Sequence, residues 1–112
     1  MPRFVVLEHD FPRLHWDFLL EADGKLRAWR LAVPPLPGAT IAAQQNADHR
    51  LFYLDHEGPV SGGRGAVQRF DAGVFDWVRD HSDALEVVLT GHKLHGNATF
   101  VRQNEFEWLA RF

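Results

Sequence analysis

An all-β fold, a barrel or a sandwich with short helical turns, is what this sequence predicts. The run Leu14-His15-Trp16-Asp17-Phe18-Leu19-Leu20-Glu21 puts polar residues at 15, 17 and 21 and apolar ones at 16, 18 and 20, the period of two that marks a strand. Short apolar or alternating runs of this kind recur along the chain, divided by clusters of Gly, Pro, Asn and Asp. Helix signals are weak by comparison.

Strands are expected, in order, at residues 4–7, 14–21, 26–33, 51–54, 66–70, 74–77, 85–89, 99–102 and 106–112. The segment Glu21-Ala22-Asp23-Gly24-Lys25 is the clearest hairpin, because Asp-Gly between two alternating runs tolerates the positive φ of a tight turn. Pro34-Pro35-Leu36-Pro37-Gly38 lacks the N–H groups of a ladder and predicts an extended loop. Polar residues 39–47 read as more loop, so His49 is expected to reach the sheet from a connection. Other turns are expected at Gly58-Pro59, Gly62-Gly63, Asp71-Ala72-Gly73, Gly91 and Gly96-Asn97. One helical turn is expected near 80–85, capped by Asp80 or Ser82.

A chain of 112 residues suits one core, so a single domain over 1–112 is expected. Its 46% hydrophobic and 24% charged content are those of an ordered globular protein. The absence of cysteine excludes a disulfide framework or thiolate metal site and points to the cytoplasm. The apolar start is interrupted at Glu8, too early for a signal peptide, and no segment is long enough to span a bilayer. A monomer without membrane contact is expected. With 12 Lys and Arg against 15 Asp and Glu, the formal charge is −3. Attraction to a polyanion is not built into that balance and must come from a local basic patch or a bound cation.

The most informative pattern is His9, His15 and Asp17, a His-x5-His-x-Asp cluster. His15 and Asp17 project from one face of a predicted strand, while Trp16, Phe18 and Leu20 offer the other face to a core. Imidazole nitrogen with carboxylate oxygen suits a divalent cation such as Mn(II), Zn(II) or Fe(II). Three protein donors leave coordination positions open, as a catalytic metal requires. Spacing alone does not separate this reading from unrelated surface or core histidines.

With these residues in line, the chain resembles the 3′-phosphoesterase domain of bacterial DNA ligase D, a family that includes stand-alone proteins of similar size. The resemblance rests on Phe4-Val5-Val6-Leu7-Glu8-His9, Arg13-Leu14-His15-Trp16-Asp17-Phe18 and Leu20-Glu21-Ala22-Asp23-Gly24-Lys25-Leu26. It continues through Asp48-His49 with Tyr53, Asp55-His56-Glu57-Gly58-Pro59, Gly91-His92-Lys93-Leu94-His95-Gly96 and Phe100-Val101-Arg102, in order over almost the whole chain. It implies a small, closed or partly open β-barrel with Mn(II), or another divalent ion such as Zn(II) or Co(II), on His9, His15 and Asp17. The implied activity removes a 3′-terminal ribonucleotide or 3′-phosphate to leave a 3′-hydroxyl during DNA repair. The implied substrate is a primer-template DNA or RNA–DNA junction, and the implied associates are a ligase or polymerase. By resemblance His49 contacts the scissile phosphate and acts in catalysis with the three metal ligands, while Tyr53 lies close enough to share its face and bind substrate.

The chain also departs from the family. The arginine that clamps phosphate after Asp-Phe is Leu19 here, and leucine cannot make a bidentate charge-assisted contact. The lysine after the Val-Pro turn and the basic residue shortly before Asp48 are likewise missing. In Val60-Ser61-Gly62-Gly63-Arg64-Gly65, Arg64 is a candidate substitute clamp. Alternative readings are a catalytically silent metal-binding relative that recognises DNA ends or a repair partner, and a metal enzyme acting on another small substrate. His92 and His95 are expected on opposite faces of a strand, solvated, and Trp29, Trp77 and Trp108 in the core.

Overall fold

Eight antiparallel strands close into a barrel in the computed structural model, which describes residues 1–112. In chain order the strands are β1 (Arg3–His9), β2 (His15–Ala22), β3 (Lys25–Leu31), β4 (Thr40–His49), the short β5 (Gly58–Pro59), β6 (Ala66–Asp80), β7 (Ala84–Gly91), β8 (His95–Arg102) and β9 (Glu107–Arg111). Neighbours run β1-β2-β3-β4-β9-β8-β7-β6, and pairing of β1 with β6 closes the ring, with β5 added beside the start of β6. Closure removes the unpaired edges of an open sheet.

Alternation along the strands builds two apolar clusters, one on each side of the wall. Phe4, Val6, Phe18, Leu20, Trp29 and Phe100 belong to the larger cluster inside the barrel. Ring centroids lie 5.1 Å apart for Trp29–Phe100 and 5.2 Å for Phe18–Phe100, within the range of favourable aromatic pairs. Val5, Leu7, Leu19 and Ala28 belong to the smaller cluster on the outer face, under Leu54 and Val60. Those two residues belong to the connection 50–65, which crosses the outer face as a strap. Arg3 Nη2 pins the strap by donating to Asp55 Oδ1 at 2.6 Å, which holds that carboxyl below its ordinary range. The Arg69 amide donates to Glu57 Oε2 at 3.0 Å and ties down its far end.

The β2–β3 hairpin turns at Asp23-Gly24, both at positive φ (53° and 78°), as expected. Pro34 to Gly38 lie outside the strands, Trp29 and Trp108 are core and Trp77 packs against it; His92 and His95 are both exposed, but His92 lies in the β7–β8 turn and only His95 on a strand. Residues 40–49 form β4 rather than a loop. Their inward positions are held by Ile41 and Ala43, and Gln45 accepts a hydrogen bond from Trp108 Nε1 at 3.1 Å, so small and polar residues conceal a paired strand. Residues 51–54 form a single 3-10 turn, not a strand, closed by the Tyr53 amide donating to Arg50 O at 3.1 Å. No helical turn forms near 80–85, where a tight hairpin turn has the His81 amide donating to Ala84 O at 2.8 Å.

Three further turn signals lie within strands. Asp71-Ala72-Gly73 falls inside the long β6, Gly96-Asn97 inside β8, and Gly58-Pro59 forms β5. Asp71 is needed for its carboxylate, which caps a distant turn, and Gly73 because a Cβ there would land on the Thr90 carbonyl.

Candidate metal centre and groove

His9 ends β1 and His15 begins β2, and the hairpin register pairs them directly, with Leu7 opposite Asp17. That register draws three residues separated in sequence to one end of the barrel wall. His15 Nε2 lies 3.3 Å and His9 Nδ1 3.5 Å from the same oxygen, Asp17 Oδ2. The potential ligand atoms all lie within 4.8 Å of one another. His15 and Asp17 are 4% and 5% exposed, so little water screens the cluster.

Backbone carbonyls orient both rings. His15 Nδ1–H donates to Arg13 O at 2.8 Å, and His9 Nε2–H donates to Arg64 O at 2.8 Å. Each bond selects the tautomer whose free nitrogen faces Asp17. Gly65 supports this arrangement: at φ +71° it closes the turn through the Val60 amide donating to its carbonyl at 2.8 Å. A Cβ there would collide with Asp10 and Phe11. Two lone pairs and a carboxylate converging on one point, each imidazole backed by a carbonyl, form a donor set that fits a divalent cation.

A groove of about 350 Å³ opens beside His9 and Asp17, and His49, Arg50, Tyr53 and Arg64 line it. His49 Nδ1–H donates to Ala47 O at 3.0 Å, which leaves Nε2 free. The His49 and Tyr53 rings lie 5.8 Å apart. His49 therefore comes from the end of β4 and Tyr53 from the 3-10 turn, not from a loop and a shared strand.

The sequence between residues 7 and 102 matches the family model described as the DNA ligase D 3′-phosphoesterase domain. The chain belongs to this family. It is 37% identical over 112 residues to the multifunctional non-homologous end joining protein LigD of Pseudomonas aeruginosa, covering 91% of this chain and 13% of that protein. It is 37% identical over 118 residues to the LigD DNA repair protein of Mycobacterium tuberculosis, covering 96% of this chain and 15% of the relative. For LigD of Mycolicibacterium smegmatis the figures are 30% over 126 residues, 96% and 16%. The chain thus spans about a sixth or less of the length of these relatives.

Leu19, at the position where the resemblance implies a phosphate-clamping arginine, is fully buried in the outer apolar cluster. An arginine placed there would meet Val5, Leu7 and Leu54, so Leu19→Arg tests packing as much as phosphate binding. Arg64 lines the groove, but its Nε donates to Ser61 O at 2.8 Å and its Nη2 to Ser61 Oγ at 3.2 Å, which ties the guanidinium to its own turn. Two other cations lie beside the site: Arg50 in the groove, and Arg30, paired across the sheet with Asp17. Arg30 could have been found from the hairpin alone, since an Asp23-Gly24 turn pairing Ala22 with Lys25 carries Asp17 opposite Arg30.

Burial disfavours a charged ring at His15, but the hydrogen bond to Asp17, the Arg13 carbonyl and the Asp17 charge outweigh it and raise its pKa, with Arg30 opposing them. The proton and a cation compete for the same nitrogen, so Mn(II) affinity is expected to climb by about tenfold per pH unit until the pH exceeds the raised value. The metal-free protein behaves oppositely. The stability His15 contributes is fully present below about pH 6.5, its unfolded value, and is lost as pH rises through the folded one. Calorimetric titration with Mn(II) from about pH 5.5 to 8.5 checks this, and a flat affinity across that range contradicts it.

No helix in the chain is long and apolar enough to cross a membrane.

Proposed function

We propose that this chain is a metal-dependent phosphoesterase that heals nucleic-acid 3′ ends in DNA repair, removing a 3′-terminal ribonucleotide or 3′-phosphate to leave a 3′-hydroxyl. The observation that carries the reading is the pair of imidazoles fixed by the Arg13 and Arg64 carbonyls, whose free nitrogens converge with Asp17 at the mouth of a groove lined by His49, Tyr53, Arg50 and Arg64. Family membership supports it, as do relatives named for non-homologous end joining. His9 Nδ1, His15 Nε2 and an Asp17 carboxylate oxygen would hold the ion, which we assign as Mn(II), with Zn(II) and Co(II) as substitutes. Bound there, a divalent cation supplies charge neutralisation on a phosphate oxygen and makes water more acidic.

The other roles belong to groove residues. His49, anchored through Nδ1–H to Ala47, presents Nε2 to the groove, and its protonated form donates to the leaving oxygen. The Tyr53 hydroxyl donates to a non-bridging phosphate oxygen, and Arg64 and Arg50 give that wall positive charge. The substrate is a primer-template DNA or RNA–DNA junction, and the product end suits a polymerase or ligase.

Incubating the purified protein with Mn(II) and a primer-template ending in one ribonucleotide or a 3′-phosphate is expected to give a 3′-hydroxyl that a polymerase extends. A chelator is expected to stop the reaction. End binding without turnover, with metal bound, would reject the catalytic reading. It would support a binding module instead, a second reading that the burial of Leu19 at the clamp position favours.

A further inference from the structure

A second, larger groove lies against His15, which does not line the first. It has a volume of about 690 Å³, and Arg13, Leu14, His15, Arg30 and Phe106 line it, with the small side chains Ala32 and Ala42 also exposed there. His9 and Asp17 face the first groove and His15 the second, so the ligand cluster forms the ridge between them. Arg30 stands on that ridge. Register places Leu7, Asp17, Arg30, Gln44 and Glu107 side by side across β1, β2, β3, β4 and β9, on one face of the wall. Arg30 makes no ion pair or hydrogen bond, and its Nε is buried with no partner. A guanidinium held this way beside an alanine-floored groove is ready for a ligand anion. Gln44 separates it from Glu107, the one acidic residue lining the groove. Phe106, at 57% exposure, and Leu14, at 55%, give the walls apolar faces.

We propose that this second groove holds the primer strand leading to the processed 3′ end, its last bases unpaired from the template, with Arg30 binding a backbone phosphate and Phe106 stacking on a base. The inference rests on the function proposed above, because it needs a nucleic-acid end at the cluster. It places the phosphate-binding cation lost at position 19 on the neighbouring strand rather than on Arg64. Arg13 adds a second positive charge on the same wall, while its carbonyl holds His15.

The test is fluorescence-anisotropy binding of a short single-stranded oligonucleotide with a 3′-phosphate, without turnover, over a series of salt concentrations. Arg30→Gln is expected to weaken binding about tenfold and to flatten the slope of log affinity against log salt by about 0.7. Arg30→Lys is expected to restore the slope. Phe106→Ala is expected to weaken binding about tenfold with an unchanged slope, since stacking displaces no counterions. If Arg30→Gln misfolds by circular dichroism, Arg13→Gln carries the same expected loss of slope. A folded Arg30→Gln or Arg13→Gln with parental affinity and slope overturns the inference, as does a parent protein that binds no strand. Arg30-dependent binding without any 3′-end processing supports the inference while rejecting the catalytic reading.

Discussion

Asp17→Ala is expected to abolish tight divalent-metal binding and to lower 3′-end processing by at least about a thousandfold, equivalent to about 4 kcal/mol of transition-state stabilisation. Asp17 is the only anion in the cluster, and its Oδ2 is the atom both imidazoles approach, at 3.3 and 3.5 Å. Without it, a doubly charged cation would enter a largely buried site with two neutral donors and Arg30 on the adjacent strand. The fold is expected to survive, because the inward neighbours Phe18 and Leu20 remain in the barrel core. Asp17→Asn separates charge from shape: it keeps an oxygen in place but removes the negative charge, so metal affinity is expected to fall nearly as far. Titration calorimetry with Mn(II) and steady-state rates on a 3′-phosphate primer measure both. An alanine variant with half the parental turnover at the same metal concentration would show that the cluster is not the metal site.

The convergence of His9, His15 and Asp17 is legible because it is local. His9, His15 and Asp17 fall within one hairpin, where a period of two and a short turn fix which side chains share a face. The strap residues were harder, since the place of Tyr53 depends on a 3-10 turn that its apolar run, Leu51 to Leu54, resembles a strand in hiding. β4 is hard to read because its apolar signal is thin, Ile41 and Ala43 among polar residues, and one of its two partners, β9, lies more than sixty residues later. Turn signals misled where tertiary contacts claimed the same residue types, as at Asp71 and Gly73. The fate of the clamp position was not legible at all: that Leu19 lies under Leu54 and Val60 depends on where the strap crosses the barrel.

Asp71→Ala is expected to cost about 3 kcal/mol of stability, and to lower the melting temperature by roughly 10–15 °C. Asp71 is 2% exposed, and its carboxylate accepts three amides of the β7–β8 turn: His92 at 2.8 Å and Lys93 at 3.2 Å through Oδ1, and Leu94 at 2.9 Å through Oδ2. Alanine removes the acceptor for all three, and the Leu94 amide, on a buried residue, has the least water to replace it. Gly91 closes the other route to compensation. A Cβ at 91 would stand 2.5 Å from Asp71 Oδ2, so the turn is built tightly around this carboxylate and has little slack to re-pair its amides elsewhere. Asp71→Asn keeps Oδ1 for His92 and Lys93 but turns an NH2 toward the Leu94 amide, so a cost of about 2 kcal/mol is expected. Denaturant unfolding measures the difference, and hydrogen exchange localises it: protection of the amides of residues 92–94 is expected to fall before that of β2 and β3. An alanine variant within about 0.5 kcal/mol of the parent, with those amides still protected, would mean that the turn holds its own geometry and that Asp71 serves another purpose.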